Sequence, residues 1–244
     1  MWTLSIFGSF FIGRWILKKE DIGEDHLVLL IQYMFIGSII GARLGQVLFY
    51  NFHYFIAHPL EVAQVWKGGL SSHGGVIGGL LSIYLFHRAH REYTLTWLFD
   101  HIALVMFLPC SLIRFGNLFN SELPGTRTEV PWAFIFQRGD DLYPRHPVVL
   151  YESICYFILL VVIIIMYRRL GNSRPGLYAA FFFTSTFLIR FLLEFMKELE
   201  GHLYMGIVSK TQLLSLPLIA LGVGMFIFTY RNKGNIADQK PLNP

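Results

Sequence analysis

A chain of 244 residues with 54% hydrophobic, 16% aromatic and only 15% charged residues is far more apolar than an ordinary soluble domain. The mean hydropathy of +0.50 indicates a membrane protein, and a formal net charge of +4, with no continuous basic face, excludes a nucleic-acid partner. Cys110 and Cys155 lie inside apolar runs and indicate no disulfide framework.

Seven apolar stretches are long enough to cross a hydrocarbon core, and they predict an all-α, polytopic membrane protein. They cover residues 2–17, 27–50, 69–86, 95–113, 148–167, 175–196 and 211–230. The first stretch is a retained helix and not a signal peptide, because Arg14 interrupts it and it has no small-residue cleavage pattern. No linker or low-complexity tract divides the chain, so residues 1–244 are expected to form one transmembrane domain.

Basic residues concentrate in alternate connections between these stretches. The connections that should share one side of the membrane contain Lys18, Lys19, Arg88, Arg91, Arg168, Arg169, Arg174, Arg231 and Lys233. The positive-inside rule therefore places the N-terminus outside and the C-terminus in the cytoplasm. The longest outward-facing connection, 114–147, alternates aromatic residues with turn formers and predicts a small cap.

An unusual polar cluster, IRFGNLFNSELPG, begins this cap at residues 113–125. At the margin of a bilayer its arginine, asparagine and glutamate side chains are costly unless they are satisfied. Either they satisfy one another or a polar ligand does.

Ionisable residues also lie within the predicted spans. Arg190 and Glu194 are four residues apart and share a helix face, which suits either a structural ion pair or a ligand site. Arg43 stands between Gly41 and Gly45, whose GxxxG spacing is typical of close helix packing with the arginine extending outward.

The stretch GGLSSHGGVIGGLL places His73 directly before two overlapping GxxxG spacings, near the predicted outer surface. Guanidinium groups bind phosphate oxygens through paired hydrogen bonds, and an imidazole or a carboxylate can act as a base. We therefore predict an outward-facing pocket for a phospholipid headgroup. No ligand set of convincing spacing predicts a metal ion, and no cofactor is expected.

Four motifs together carry a family resemblance: GGLSSHGGVIGG, RFGNLFNSELPG, PRHPVVLYES and IRFLLEF, in that order. With these motifs the chain resembles the prolipoprotein diacylglyceryl transferases of bacteria, over nearly its whole length. The second motif, R-x-G-N-x-x-N-x-E-x-x-G, is the most specific of the four.

The resemblance implies a seven-helix enzyme of the bacterial cytoplasmic (inner) membrane with its active site towards the outer leaflet. It would transfer the diacylglyceryl group of phosphatidylglycerol to the lipobox cysteine in a prolipoprotein signal peptide. A thioether forms and glycerol phosphate leaves, which is the first step of lipoprotein maturation. The partners implied are phosphatidylglycerol, the prolipoprotein and the lipid bilayer.

Carried onto this sequence, the resemblance implies catalytic roles for His73, Arg114, Glu122, Arg190 and Glu194. The substrate contacts expected are those of Arg114, Asn117, Asn120, Gly125, Arg43 and Arg190. Supporting positions are expected at Arg145, His146 and Glu152. We expect Arg114 and Arg190 to hold the phosphate, whereas the thiol base stays open among His73, Glu122 and Glu194.

The chain departs from the family pattern in three places. An N-terminal aromatic site residue has no equivalent, Thr186 replaces a tyrosine, and Pro124 stiffens the turn before Gly125. We expect an intact enzyme whose coding sequence starts upstream.

The alternatives are a divergent or inactive family member acting as a membrane scaffold, or a small membrane transporter. The transporter alternative is weaker because neither the Gly-rich nor the Asn-rich motif is repeated. An intramembrane protease using Ser71 or Ser72 with His73 has no second supporting feature.

Overall fold

The computed structural model describes residues 1–49, 51–138, 142–198 and 208–231, with the backbone but not the side chain described at Phe49, Lys67, Ser72, His73 and Lys210. These residues form α1 Trp2–Lys19, α2 Glu24–Phe49, α3 Phe52–Ala57, α4 Ser72–Ala89, α5 Leu95–Phe119, α6 Val148–Leu170, α7 Leu177–Leu193 and α8 Lys210–Arg231. Short 3-10 turns follow at Pro59–Ala63, Val65–Lys67 and Glu194–Met196. The predicted all-α class is confirmed.

Each predicted span coincides with a helix, but only part of the predicted topology is established. Within the described residues, five segments are long and apolar enough to cross a membrane: Glu24–Leu48, Leu95–Phe119, Val148–Leu170, Leu177–Met196 and Thr211–Arg231. Helices α1 and α4, at 18 residues each, are not among them. The count of seven spans and the direction of the termini stay predictions.

Helix α6 illustrates how these segments suit a bilayer. Its buried residues recur every three or four positions and include Glu152, Tyr156, Ile163 and Tyr167. Side chains between them, such as Phe157, are exposed although they are apolar. A helix with an exposed apolar surface of this kind is stable in lipid, where burial against protein is not required.

The described residues fall into two compact units. One comprises Met1–Gly13 and the described residues from Phe99 onward, and the other runs from Arg14 to Leu98. The expectation of a single domain over residues 1–244 stays a prediction.

In the second unit, α2 and α4 pack with their backbones in contact. A Cβ atom on Gly41 would lie 2.7 Å from Gly78 Cα, and one on Gly45 would lie 2.8 Å from Gly74 Cα. Only glycine allows such an approach, so the GxxxG spacing of each helix serves the other. The Ser71 N–H also donates to the Ala42 carbonyl at 2.9 Å.

In the first unit, Asp100 of α5 caps the start of α7. Gly176 has φ of +85°, and having no side chain it cannot cap the helix itself. Asp100 is 4% exposed, and its carboxylate accepts hydrogen bonds from Gly176 N at 2.6 Å and Ala179 N at 2.8 Å. A buried carboxylate thus satisfies backbone donors that α7 leaves free.

The end of α5 differs from the sequence prediction. The span was expected to end at residue 113, with the cap beginning at 114, but the helix continues to Phe119. Arg114 and Asn117 therefore lie on the helix. An arginine is tolerated there because a buried carboxylate of α6 pairs with it. Beyond α5 the chain contributes the antiparallel pair β1 (Phe134–Ile135) and β2 (Pro144–Arg145).

Candidate active site

The polar cluster at the end of α5 is partly satisfied by its own side chains. The Asn117 amide and the Asn120 amide both donate to the Glu122 carboxylate, the second at 3.2 Å. Asn117 Oδ1 is buried and accepts no hydrogen bond from the described residues. Two amides thus fix Glu122 while one buried acceptor stays free for a ligand.

The turn that carries Glu122 is strained. Ser121 and Leu123 have φ of +57° and +54°, values that residues other than glycine rarely adopt. Such strain persists only where the surrounding structure requires it, and it is common at ligand sites. Backbone geometry therefore supports a functional reason for the position of Glu122.

Gly125 is required by a close backbone approach. A Cβ atom there would lie 2.5 Å from His146 O and 2.7 Å from Val148 Cγ2. The Gly125 N–H donates to His146 O at 3.0 Å, and Gly125 also forms an isolated bridge with Lys197. This geometry joins the segment after α5 to the start of α6 and the end of α7.

A buried group of ion pairs, which we call the Glu152 cluster, comprises Arg114, Glu152, Glu194 and Lys197. Arg114 Nε lies 2.6 Å from Glu152 Oε2, and Lys197 Nζ lies 2.7 Å from Glu152 Oε1. The Glu152 side chain is fully buried, while those of Arg114 and Lys197 are 17% and 12% exposed. Two cations thus share one carboxylate, which fixes the Arg114 guanidinium.

Glu194 completes the Glu152 cluster. Its Oε2 lies 3.7 Å from Lys197 Nζ, and its Oε1 accepts a hydrogen bond from Ser209 Oγ at 2.8 Å. The Arg190–Glu194 pair considered from the sequence is not among the ion pairs of the described residues. Glu194 begins a 3-10 turn, and its carboxylate faces Lys197 and Ser209.

Arg190 lies near the Glu152 cluster and forms no ion pair of its own with any described carboxylate. Its charge and that of Arg114 both act on Cys110 and Tyr156, so the two guanidinium groups lie in the same neighbourhood. No ion pair or hydrogen bond of the Arg190 side chain occurs within the described part of the chain. The Glu152 cluster and Arg190 together bring three described cations beside two described carboxylates, which favours binding of an anion.

The supporting positions predicted after the cap form their own contacts. Arg145 is 6% exposed, and its Nη1 donates to Gly125 O at 3.0 Å and to Glu198 Oε2 at 2.7 Å. His146 Nδ1 lies 3.3 Å from the Tyr151 hydroxyl. These contacts connect β2 to the segment that follows α7 and to α6.

Arg43, in the second unit, makes contacts typical of a structural residue. It is 5% exposed, and its guanidinium donates to the backbone carbonyls of Glu61, Val62, Gly68 and Gly69 at 2.6–3.1 Å. Its predicted substrate contact stays untested, but these bonds leave little capacity for a phosphate. The arginine holds the connection before α4 and does not extend outward.

His73 also belongs to the second unit, and its side chain lies outside the described residues. Its backbone forms the second residue of α4, which Ser71 caps by accepting a hydrogen bond from Gly74 N at 3.3 Å. The other predicted site residues, apart from Arg43, belong to the first unit.

The sequence prediction missed Lys197, Glu198 and Ser209. All three were assigned to the connection 197–210, outside the predicted spans. The spacing of three residues between Glu194 and Lys197 was the available signal, since such a spacing brings side chains together on a helical turn.

Comparison with known proteins identifies the family. A sequence model described as prolipoprotein diacylglyceryl transferase matches residues 1–228. The chain belongs to this family. A relative from Chloroherpeton thalassium, named phosphatidylglycerol–prolipoprotein diacylglyceryl transferase, is 45% identical over 221 residues, which are 88% of this chain and 82% of the relative.

Two further diacylglyceryl transferases bear the same name. The protein from Tolumonas auensis is 38% identical, over 89% of this chain and 84% of its own length. The protein from Porphyromonas gingivalis is 34% identical, over 92% of this chain and 86% of its own length. The stretch matched by the family, residues 1–228, includes the whole Glu152 cluster, Arg190 and the Asn117–Gly125 turn.

Proposed function

We propose that this protein transfers the diacylglyceryl group of phosphatidylglycerol to the lipobox cysteine thiol of prolipoproteins. The relatives are named for this transfer, and the chain shares most of its length with them. The observation that carries the proposal is the excess of positive charge around Arg114 and Arg190 at the end of an apolar helix. A phospholipid headgroup offers the matching anion at that depth.

The two arginines would bind the phosphate in different ways. Glu152 engages Nε of Arg114, and among the described residues nothing engages its terminal nitrogens, so these can donate to phosphate oxygens. Among the described residues no carboxylate pairs with Arg190, which can donate its full fork. The free Asn117 Oδ1 would accept a hydrogen bond from a glycerol hydroxyl.

In the reaction, the cysteine sulfur attacks the carbon of the diacylglyceryl group that bears the phosphate. A carbon–sulfur bond forms, the carbon–oxygen bond breaks with its electron pair going to the phosphate oxygen, and glycerol phosphate leaves. The thiol proton passes to a base, for which His73, Glu122 and Glu194 are the proposed candidates. Fixed guanidinium groups stabilise the charge that develops on the leaving group.

We further propose that the chain lies in the bacterial cytoplasmic membrane with seven spans, an outward N-terminus and the site towards the outer leaflet. The five span-capable helices and the distribution of basic residues support this arrangement. A prolipoprotein signal peptide with its lipobox cysteine would then approach from the bilayer and the outer surface.

The proposal is tested by incubating the purified full chain in detergent with phosphatidylglycerol and a lipobox peptide. Mass spectrometry should detect a diacylglyceryl adduct on the cysteine. Arg114→Ala and Arg190→Ala should each lower the rate by about 10²–10³-fold, the effect of removing a group that stabilises developing charge. His73→Ala should also abolish product if the imidazole is the base.

Arg14→Ala is the matched control, because Arg14 is half-exposed and pairs with Glu24 at 2.7 Å in the second unit. It should retain the activity of the unmodified chain. The absence of any adduct from a folded preparation would overturn the proposal and favour the scaffold alternative.

A further inference from the structure

A group of potential metal ligands lies in the second unit, among residues to which the transferase function assigns no role. His26 is in the first turn of α2, His90 ends α4, and Glu92 follows in the turn before α5. One ligand atom from each lies within 4.8 Å of the others. Over the part of the chain that the structure describes, no other group of three His, Cys, Asp or Glu side chains meets this condition.

The polar atoms of this group are not fully used by the protein. His90 Nδ1 lies 3.2 Å from Glu92 Oε1, and the rings of His26 and His90 are 5.7 Å apart at 79°. His26 Nδ1 is buried and has no hydrogen-bond partner among the described residues. A buried ring nitrogen without a partner requires an explanation, and a bound ion is one.

Neighbouring residues hold the two imidazoles in place. Phe86 stacks on His90 with 4.6 Å between ring centroids, and Tyr93 packs against His26 at 5.4 Å. The His87 ring lies with Nδ1 2.7 Å from the Tyr93 carbonyl, which fixes the turn that carries Glu92. Metal sites need such support around the ligands to keep their geometry.

The spacing suits a small divalent cation after a limited adjustment. A tetrahedral Zn²⁺ with bonds of about 2.1 Å separates its ligand atoms by about 3.4 Å. The widest pair here, at most 4.8 Å, would therefore close by about 1.4 Å at most. The His90 and Glu92 side chains are 24% and 36% exposed, so an ion can enter from solvent.

The local charge also permits a cation. The positive N-terminal end of the α2 dipole disfavours a bound cation, but the negative charges of Glu24 and Asp25 in the same first turn offset this effect. Two neutral imidazoles and one carboxylate leave a divalent ion with a net charge of +1, and imidazole with carboxylate is a ligand set typical of zinc.

We propose that His26, His90 and Glu92 bind one divalent cation of the Zn²⁺ class, with water in the remaining position. The ion joins the start of α2 to the connection between α4 and α5. Spacing along the chain gave no sign of it, because His26 is far from His90 in sequence.

The test uses the full chain without a histidine tag, treated with EDTA and then titrated with Zn²⁺ in detergent by calorimetry. One equivalent should bind and raise the unfolding temperature, because a ligand that binds only the folded state stabilises it. His26→Gln, His90→Gln and Glu92→Gln should each weaken binding by about tenfold or more. His53→Gln, an exposed histidine of α3, is the matched control and should bind like the unmodified chain.

The proposal is overturned if the unmodified chain binds no stoichiometric Zn²⁺, or if His26→Gln and His90→Gln bind Zn²⁺ as tightly as the unmodified chain does. Glu92 lies on a half-exposed turn, so Glu92→Gln decides the outcome if a histidine variant does not fold. The readout is independent of diacylglyceryl transfer, and failure of either proposal leaves the other standing.

Discussion

The Glu152→Gln substitution is the sharpest test of the Glu152 cluster. Glutamine keeps the shape of the side chain but removes the charge that Arg114 and Lys197 share at 2.6 and 2.7 Å. Both cations would then stay largely buried with their shared counter-ion gone. Removing one partner of a buried ion pair lowers the free energy of unfolding by about 3–5 kcal/mol. Glutamine still accepts one hydrogen bond, so the loss for Glu152→Gln should be about 3 kcal/mol.

The expected loss in activity has a separate cause. Without Glu152 the Arg114 guanidinium is no longer fixed through Nε, and a displacement of about 1 Å at a reacting centre can lower a rate by about 10²-fold. Thermal unfolding in detergent measures the first effect, and adduct formation on the lipobox peptide measures the second.

Glu198→Gln is the matched control. Glu198 also forms an ion pair, with Arg145 Nη1 2.7 Å from its Oε2, but the Glu198 side chain is 55% exposed. Because the Glu198 end of this pair is open to water and Arg145 keeps its hydrogen bond to Gly125 O, the pair contributes about 1 kcal/mol or less, and this variant should unfold close to the unmodified chain. If Glu152→Gln unfolds and reacts like Glu198→Gln, the argument for the Glu152 cluster is wrong.

Three further substitutions test other parts of the structure. Gly41→Ala should lower the free energy of unfolding by about 1–3 kcal/mol because the new Cβ would meet the α4 backbone. Gly224→Ala is the control: open space surrounds this residue in α8, so the variant should be neutral or more stable by up to about 1 kcal/mol. Equal unfolding temperatures of the two variants would contradict the close α2–α4 contact. Asp100→Asn should leave one buried N–H at the start of α7 without an acceptor and lower the free energy of unfolding by about 1–3 kcal/mol, measured by thermal unfolding. Asp25→Asn, at an exposed position, is the control and should change stability little. An Asp100 variant as stable as the unmodified chain would argue against the cap. Arg190→Lys should lower transferase kcat/KM because lysine lacks the planar guanidinium fork. The unfolding temperature should not change, since Arg190 forms no ion pair with the described residues. A loss of stability would indicate a structural role for Arg190.

The positions of the long helices could be predicted from the length of the apolar stretches alone, because a helix satisfies all of its backbone hydrogen-bonding groups within a bilayer. Each of the seven apolar stretches overlaps a helix of the structure. The GxxxG spacings also predicted close packing, although not that Gly41 and Gly45 would face Gly74 and Gly78. A GxxxG spacing identifies the face of one helix, whereas the helix that packs against this face is determined by the tertiary structure.

The charged groups were harder to predict. The end of α5 could not be placed because the residue that offsets the cost of Arg114, Glu152, lies on another helix. Lys197 was assigned to a connection, yet it reaches Glu152 across 45 positions of sequence. Sequence therefore indicated which residue types the site uses, whereas pairing between distant residues decided where they lie.

The contact between Asp100 and the start of α7 has a consequence for how the protein is made. The ribosome releases α5 before α7, so the carboxylate is already in place when the first turn of α7 arrives. Until the two segments meet, Asp100 cannot form its hydrogen bonds with the N–H groups of Gly176 and Ala179. The two hydrogen bonds can form in only one position of α7 against α5, so they fix the register of the two helices as well as stabilising the fold.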